Sequence, residues 1–261
     1  MLLVIPRVVH YCWFGRNPKP ALAEKCIKSW KQHCPDYDII EWNEDNFDIS
    51  SCPLYVRQAY EAKKWAFVTD YVRLKVVYDH GGIYMDTDVE LKKSLDPLLK
   101  HRAYFGFEDG VHINTGLGFG AEQEHPLLAE LMADYEGIPF VCADGSLDTE
   151  PCPVRNTKVF LRHGLKQDDS KQILDNEACI LPSIYLCPLS YETRERRRSS
   201  ETVSVHWFDA SWRSESEKQM HQKKVQAEKR DRWRYLPDRI LMKLLGDARY
   251  QRLKQTWKRK K

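Results

Sequence analysis

The segment Gly81-Gly82-Ile83-Tyr84-Met85-Asp86-Thr87-Asp88 constrains this 261-residue chain more than any other. Two glycines stop a helical run, a short apolar strand follows, and two carboxylates one residue apart leave its end. Open α/β sheets bind ligands at the carboxyl ends of their strands. Strand alternation places Asp86 and Asp88 on one side, where like charges need a cation to neutralise them. Carboxylate oxygens suit a hard divalent ion, Mg²⁺ or Mn²⁺, which commonly also holds substrate phosphates. A solvated acidic turn is the alternative that so short a motif carries.

The rest of the chain predicts a sheet around that strand. Residues 4–13 read as a buried strand. A helix follows, with Leu22, Cys26, Ile27 and Trp30 on one face, and residues 37–42 return as a strand. This β-α-β order favours a parallel sheet with right-handed crossovers. Residues 53–78 read as mainly helical, with Val56, Tyr60, Phe67, Tyr71, Leu74 and Tyr78 at helical spacing. Further strands are predicted at 103–107, 117–119, 181–186 and 203–207, and a helix at 126–135; the polar, proline-containing stretch 142–156 reads as a loop.

Composition narrows the class. With 42% hydrophobic and 30% charged residues the chain can bury a core and is neither disordered nor a membrane bundle. No apolar run approaches the ~20 residues of a spanning helix. The first nine residues lack the basic region and cleavage site of a signal peptide. Eight cysteines show neither CxxC pairs nor zinc-finger spacing, so reduced thiols in a cytoplasmic compartment are expected. The net charge of +3 hides an asymmetry. Residues 213–261 hold 17 Lys+Arg against 6 Asp+Glu, leaving 24 against 32 of the totals of 41 and 38 for residues 1–212. An acidic body of 1–212 with a basic tail of 213–261 argues against a main surface that binds nucleic acid.

Several residues could serve a site beside the two aspartates. Asp70 and Arg73 share a helix face among apolar neighbours, either as a surface salt bridge worth under about 1 kcal/mol or as a pair that binds sugar and ribose hydroxyls. Trp13, at the end of the first strand, is either core or a stacking surface for a flat base, worth ~1–3 kcal/mol. The glycine-rich run His112–Gly120 is either a flexible hairpin or a site in which Asn114 bonds a ligand hydroxyl; it matches neither GxGxxG nor a P-loop. His206, beside Trp207 and Trp212, is either structural or the completion of a metal shell.

In this order the motifs resemble the DxD-containing sugar-transfer glycosyltransferases. These include bacterial capsular and O-antigen polysaccharide glycosyltransferases, Golgi initiating α-1,6-mannosyltransferases and, more distantly, clostridial toxin glucosyltransferase domains. The resemblance covers roughly residues 4–212 and is carried by Ile5–Gly15, Ala66–Arg73, Gly81–Asp88, Ile113–Gly116 and His206-Trp207. It implies a GT-A type α/β fold, a single Rossmann-like mixed sheet flanked by helices, with a helical C-terminal tail outside it. It implies a retaining, metal-dependent transferase of nucleotide-diphosphosugars using Mn²⁺ or Mg²⁺. Asp86, Asp88 and His206 would bind the metal, and Trp13, Asp70, Arg73, Tyr84, Asp86, Asn114 and Trp212 the donor. Asp70, Arg73, Asp86 and Asp88 would carry the catalysis. The expected donor is a UDP-hexose, galactose or glucose, and the expected acceptor a glycan or lipid-linked oligosaccharide in cell-surface polysaccharide synthesis.

The tail has its own pattern. Leu236, Ile240, Leu241, Leu244 and Leu245 form an apolar arc flanked by basic residues. It fits either an interfacial helix on an anionic membrane, placing a cytoplasmic enzyme at the inner face of the cell membrane, or a helix packed on the body. Two other functions compete. Asp86-Thr87-Asp88-Val89 also satisfies the nucleophile motif of haloacid-dehalogenase-type phosphohydrolases, for which Asp168-Asp169 would have to supply the second acidic pair. A non-catalytic membrane adaptor is the other.

Overall fold

The computed structural model describes residues 4–175, 177–209, 219–220, 223 and 225–227. The chain opens as β1 (Val8–Cys12), α1 (Ala21–His33) and β2 (Asp38–Trp42), with β1 and β2 parallel. Helices α2 (Leu54–Glu61) and α3 (Trp65–His80) then lead to β3 (Gly82–Tyr84), parallel to β1 on its other side. Beyond lie β4 (Val89–Leu91), β5 (Ala103–Gly106), β6 (Phe119–Ala121), α4 (Pro126–Ala133), α5 (Cys152–Arg162), β7 (Gln172–Ile173), β8 (Ala178–Leu181), α6 (Ser183–Leu186) and β9 (Ser204–His206). Seven strands form one mixed sheet in the order β2-β1-β3-β6-β5-β8-β7, and β4 pairs with β9 in a separate two-stranded ribbon. This is the single mixed sheet with flanking helices that the resemblance implies; the parallel pairing favoured by the β-α-β order holds for β1 with β2 and β3, while β6 runs antiparallel to β3 and β5.

Strand side chains alternate between two cores. Val9, Tyr11, Ile83, Met85 and Tyr104 belong to the core on the α1 side, with Cys26 and Trp30. Cys12, Tyr84, Phe105, Phe119 and Ile180 belong to the other, beneath α2, α3, α4 and α5. There the Phe105 and Phe119 rings stack with centroids 5.3 Å apart.

The differences from the sequence reading have local causes. The mainly helical stretch expected over 53–78 forms two helices that part at 62–64, where Lys63 takes a left-handed φ of 55°. α3 ends at Gly81, whose φ is +65° and where a Cβ would lie 2.9 Å from Gln123 N, so glycine is required twice over. The expected loop 142–156 contains the start of α5. Pro151 precedes that helix and Pro153 sits in its first turn, where no N–H is needed. The strand expected over 181–186 stops at Leu181, and Pro182 starts α6 instead. β4 and β7, of three and two residues, are too short to show a period.

Contacts divide the chain into one unit of Met1–Ser190 with Glu195–Trp212 and another of Tyr191–Arg194 with Arg213–Lys261. In the second, the described residues of 219–227 are helical and Val225 is buried. The apolar arc from Leu236 onward lies outside the described residues. Among the described residues no helix is long and apolar enough to cross a membrane. All eight cysteines are free.

One buried group makes the sheet sensitive to pH. His10 on β1 is fully buried, with its Nε2 2.9 Å from the Gly81 carbonyl oxygen and its Nδ1 accepting from Trp42 Nε1 at 3.1 Å. Burial, helped by His80 and opposed by the Gly81 contact, lowers its pKa to about 4. The unfolded chain, with an ordinary imidazole, therefore takes up a proton first as the pH falls below about 6.5, and stability drains away until the folded pKa is reached. We expect about 2 kcal/mol of the stability lost between pH 7 and 4.5 to come from this residue. Urea unfolding of His10→Gln at both pH values should show a pH dependence smaller by that amount; an unchanged dependence contradicts this origin.

Candidate active site

Helix α3 is buried on most sides, and two of its charged residues, Asp70 and Arg73, are buried with it. Arg73 Nη2 lies 2.8 Å from Asp70 Oδ1 and 3.5 Å from Asp86 Oδ1, while Nε donates to the Thr69 carbonyl at 3.0 Å. Its guanidinium carbon stands 5.2 Å from the centre of the Tyr84 ring, and the Tyr84 hydroxyl donates to Asp86 Oδ1 at 2.9 Å. The pair is thus a buried three-charge arrangement, not the surface salt bridge that the spacing also allowed.

Asp86 and Asp88 do not sit on a strand. They occupy the turn between β3 and β4, so strand alternation is not what brings them together. The turn is held from outside. Asp86 N donates to the Gly116 carbonyl at 3.2 Å, and the β4–β9 ribbon sets Val89 opposite His206. Trp207 N donates to the Asp88 carbonyl at 3.0 Å and Asp209 N to Asp88 Oδ2 at 2.8 Å. His206 Nε2 ends 3.1 Å from Asp88 Oδ1. One ligand atom from each of Asp86, Asp88 and His206 then lies within 4.8 Å of the others.

The charges respond to this crowding. Burial raises the Asp86 carboxyl, against the pull of Arg73. Burial also works to raise Asp88, but His206 and the Asp209 N–H outweigh it and hold that carboxyl below its usual value. The same ion pair keeps the His206 imidazole well above its ordinary pKa despite burial. Burial pushes Asp70 up to about 6, with Arg73 opposing. Two hard carboxylates and an imidazole suit a divalent cation. Gly116 keeps space beside them: a Cβ at this position would overlap Asp86 Oδ2 and come within 2.9 Å of Arg73 Nη1.

Asn114 joins this cluster through Gly116, whose N–H donates to Asn114 Oδ1 at 2.6 Å. Trp13 leaves β1 at the edge from which Asp86 leaves the parallel β3. It is half-buried, with its Nε1 donating to Asn17 O at 2.7 Å and Lys19 Nζ 5.8 Å from its ring; it makes no hydrogen bond or ring contact with Arg73, Asp86, Asp88 or His206. Trp212 lies outside the described residues. Asp168 and Asp169, which a phosphohydrolase would need, bond Ser170 and Ser183.

Two site residues escaped the sequence reading. Cys152, the first residue of α5, has its thiol 3.9 Å from Arg73 Nη1 and 3.7 Å from Asn114 Oδ1. Glu108, just past β5, accepts from Asn114 Nδ2. Neither carries a motif, and only the β5 strand end hinted at Glu108.

Residues 20–105 match the family model of a glycosyltransferase sugar-binding region containing a DXD motif. The matched segment is about a third of the chain. It holds Asp70, Arg73, Tyr84, Asp86 and Asp88. The chain is similar to inositol phosphoceramide mannosyltransferase 3 of Schizosaccharomyces pombe, 28% identical over 52% of this chain and 38% of that protein. It is also similar to inositol phosphoceramide mannosyltransferase 1 of the same yeast, 30% identical over 48% of this chain and 40% of that protein. The matches thus span about two fifths of the length of these curated relatives. A crystal structure of a glycosyltransferase involved in glycosylation of the major capsid of PBCV-1 matches at a TM-score of 0.45 and 12% identity, covering 84% of this chain and 100% of that one.

Gly116→Ala tests the space at the cluster directly. The added methyl must displace the Asp86 carboxylate, and Mn²⁺ affinity measured by titration calorimetry should fall roughly tenfold or more. Unchanged Mn²⁺ binding in the folded variant contradicts the placement of the site.

Proposed function

We propose that this chain transfers a hexose from a nucleotide-diphosphosugar to a hydroxyl of a glycan or lipid-linked acceptor, in a metal-dependent reaction that retains configuration at the anomeric carbon. The observation that carries this reading is the convergence of Asp86, Asp88 and His206 beside the buried Arg73. Transfer breaks the bond between the anomeric carbon and the diphosphate oxygen, leaving positive charge on the ring and negative charge on the diphosphate. Mn²⁺ or Mg²⁺ held by Asp86, Asp88 and His206 would supply charge neutralisation for that leaving group. Arg73 adds a fixed positive charge which, anchored by Asp70, Asp86 and Thr69, needs no reorganisation during the reaction. Tyr84 spends its hydroxyl on Asp86 and so orients a ligand carboxylate. In this reading Asp70 and Arg73 engage sugar and ribose hydroxyls, Trp13 stacks on the base and Asn114 contacts the sugar.

The names of the relatives support mannose as the hexose and an inositol-phosphoceramide-like lipid as the acceptor. Galactose or glucose on UDP, and a cell-surface polysaccharide, are the alternatives that the sequence motifs suggest. The basic tail supports a site of action at the inner membrane face.

The decisive experiment compares the chain with Asp88→Asn on GDP-mannose, UDP-galactose and UDP-glucose with Mn²⁺, using lipid and glycan acceptors. The substitution should lower turnover roughly 100-fold or more; if it leaves turnover of every donor intact, the mechanism is wrong. A chain ending at Leu236 should bind anionic vesicles less than the full chain, and equal binding would remove the tail from the account.

A further inference from the structure

The Asn114 amide is held at both ends. Its Oδ1 accepts from Gly116 N at 2.6 Å and faces the Cys152 thiol at 3.7 Å, while its Nδ2 donates to Glu108 Oε2. Turned over, the amide would set its oxygen against the Glu108 carboxylate and its NH₂ against the Gly116 N–H. Glu108 therefore selects the amide's orientation.

Glu108 is itself firmly placed. Phe107 pairs with Ile113 just beyond β5, and Glu108 N donates to the His112 carbonyl at 2.8 Å. Asp109 Oδ1 accepts from Val111 N at 2.9 Å and His112 N at 2.7 Å, closing the hairpin that carries both Glu108 and Asn114. Through Asn114 the Glu108 carboxylate joins the side of the site that holds Gly116 and Cys152, and the charge of His206 reaches it. Its second oxygen, Oε1, makes no hydrogen bond among the described residues, and Nδ2 of Asn114 keeps one hydrogen unused.

We infer that Glu108 and Asn114 form a hydroxyl clamp for the donor sugar. The remaining Asn114 N–H donates to a sugar hydroxyl oxygen, and Glu108 Oε1 accepts the proton of that hydroxyl or of its neighbour. Glu108 thus acts twice, positioning Asn114 and choosing sugars whose hydroxyls offer this donor and acceptor pattern. The inference rests on the reading of the site as one for nucleotide sugars.

Titration calorimetry with Mn²⁺ tests it, using GDP-mannose and UDP-glucose each beside its own nucleoside diphosphate. Glu108→Ala should weaken the bound nucleotide sugar roughly tenfold or more while leaving the matching diphosphate within about twofold. Glu108→Gln, whose amide oxygen still accepts from Asn114, should lose an intermediate, sugar-specific part; where the alanine variant fails to fold by circular dichroism, this variant decides alone. Equal losses for sugar nucleotide and diphosphate, or no loss in either, overturn the clamp. A wild-type chain that binds the diphosphates but gains nothing from the attached sugar overturns the clamp and leaves the metal and diphosphate site standing. A wild-type chain that binds none of the four probes overturns the transferase reading and the clamp with it.

Discussion

The Arg73 guanidinium stands out of water between two carboxylates, Asp70 on its own helix and Asp86 on the turn after β3. A buried charge of this kind survives only with its partners in place, and removing one partner of such a pair typically costs about 3–5 kcal/mol. That requirement fixes the geometry. α3 must lie against the end of β3, and the break at 62–64 together with the stop at Gly81 sets the helix at the length that allows it. The Tyr84 hydroxyl donates to the Asp86 carboxylate, the Gly116 carbonyl accepts from the Asp86 N–H, and the Asp86 carbonyl accepts from Val89 N.

A second constraint comes from the far end of the body. β9 pairs with β4 immediately after the two aspartates, and this ribbon places His206 on Asp88 and the Asp209 N–H on the other Asp88 oxygen. The two carboxylates consequently differ: burial dominates at Asp86, whereas the imidazole and backbone donor dominate at Asp88. Asn114 and Cys152 join through Gly116 and Arg73, so the site draws on α3, the β3–β4 turn, the loop before β6, the start of α5 and β9.

The parts of this arrangement that could be read in the sequence are those with a strong local signal. The opening β-α-β unit shows in a nearly continuous apolar run followed by helical spacing, and the double glycine marks the end of α3. The residues left His206 as either structural or the completion of a metal shell, and only the resemblance favoured the second, because its partner strand β4 has three residues and no period of its own. The convergence of Asp86 and Asp88 was expected from strand alternation but depends on a turn and on hydrogen bonds from Gly116, Trp207 and Asp209, none of which spacing reveals. α5 was hidden because prolines at its start look like loop residues until their place in a first turn is known. Glu108 and Cys152 act through Asn114 and Arg73, and such tertiary contacts leave no pattern along the chain.

The central claim is that Asp86, Asp88 and His206 hold one divalent cation at the point where a diphosphate leaves a sugar. Anomalous diffraction from crystals of the full chain grown with Mn²⁺ and a nucleoside diphosphate measures this most directly. The account predicts a single strong peak bonded to both aspartates and to His206, with diphosphate oxygens completing its shell. A peak at any other cluster, or a diphosphate bound with no metal at these three residues, contradicts it.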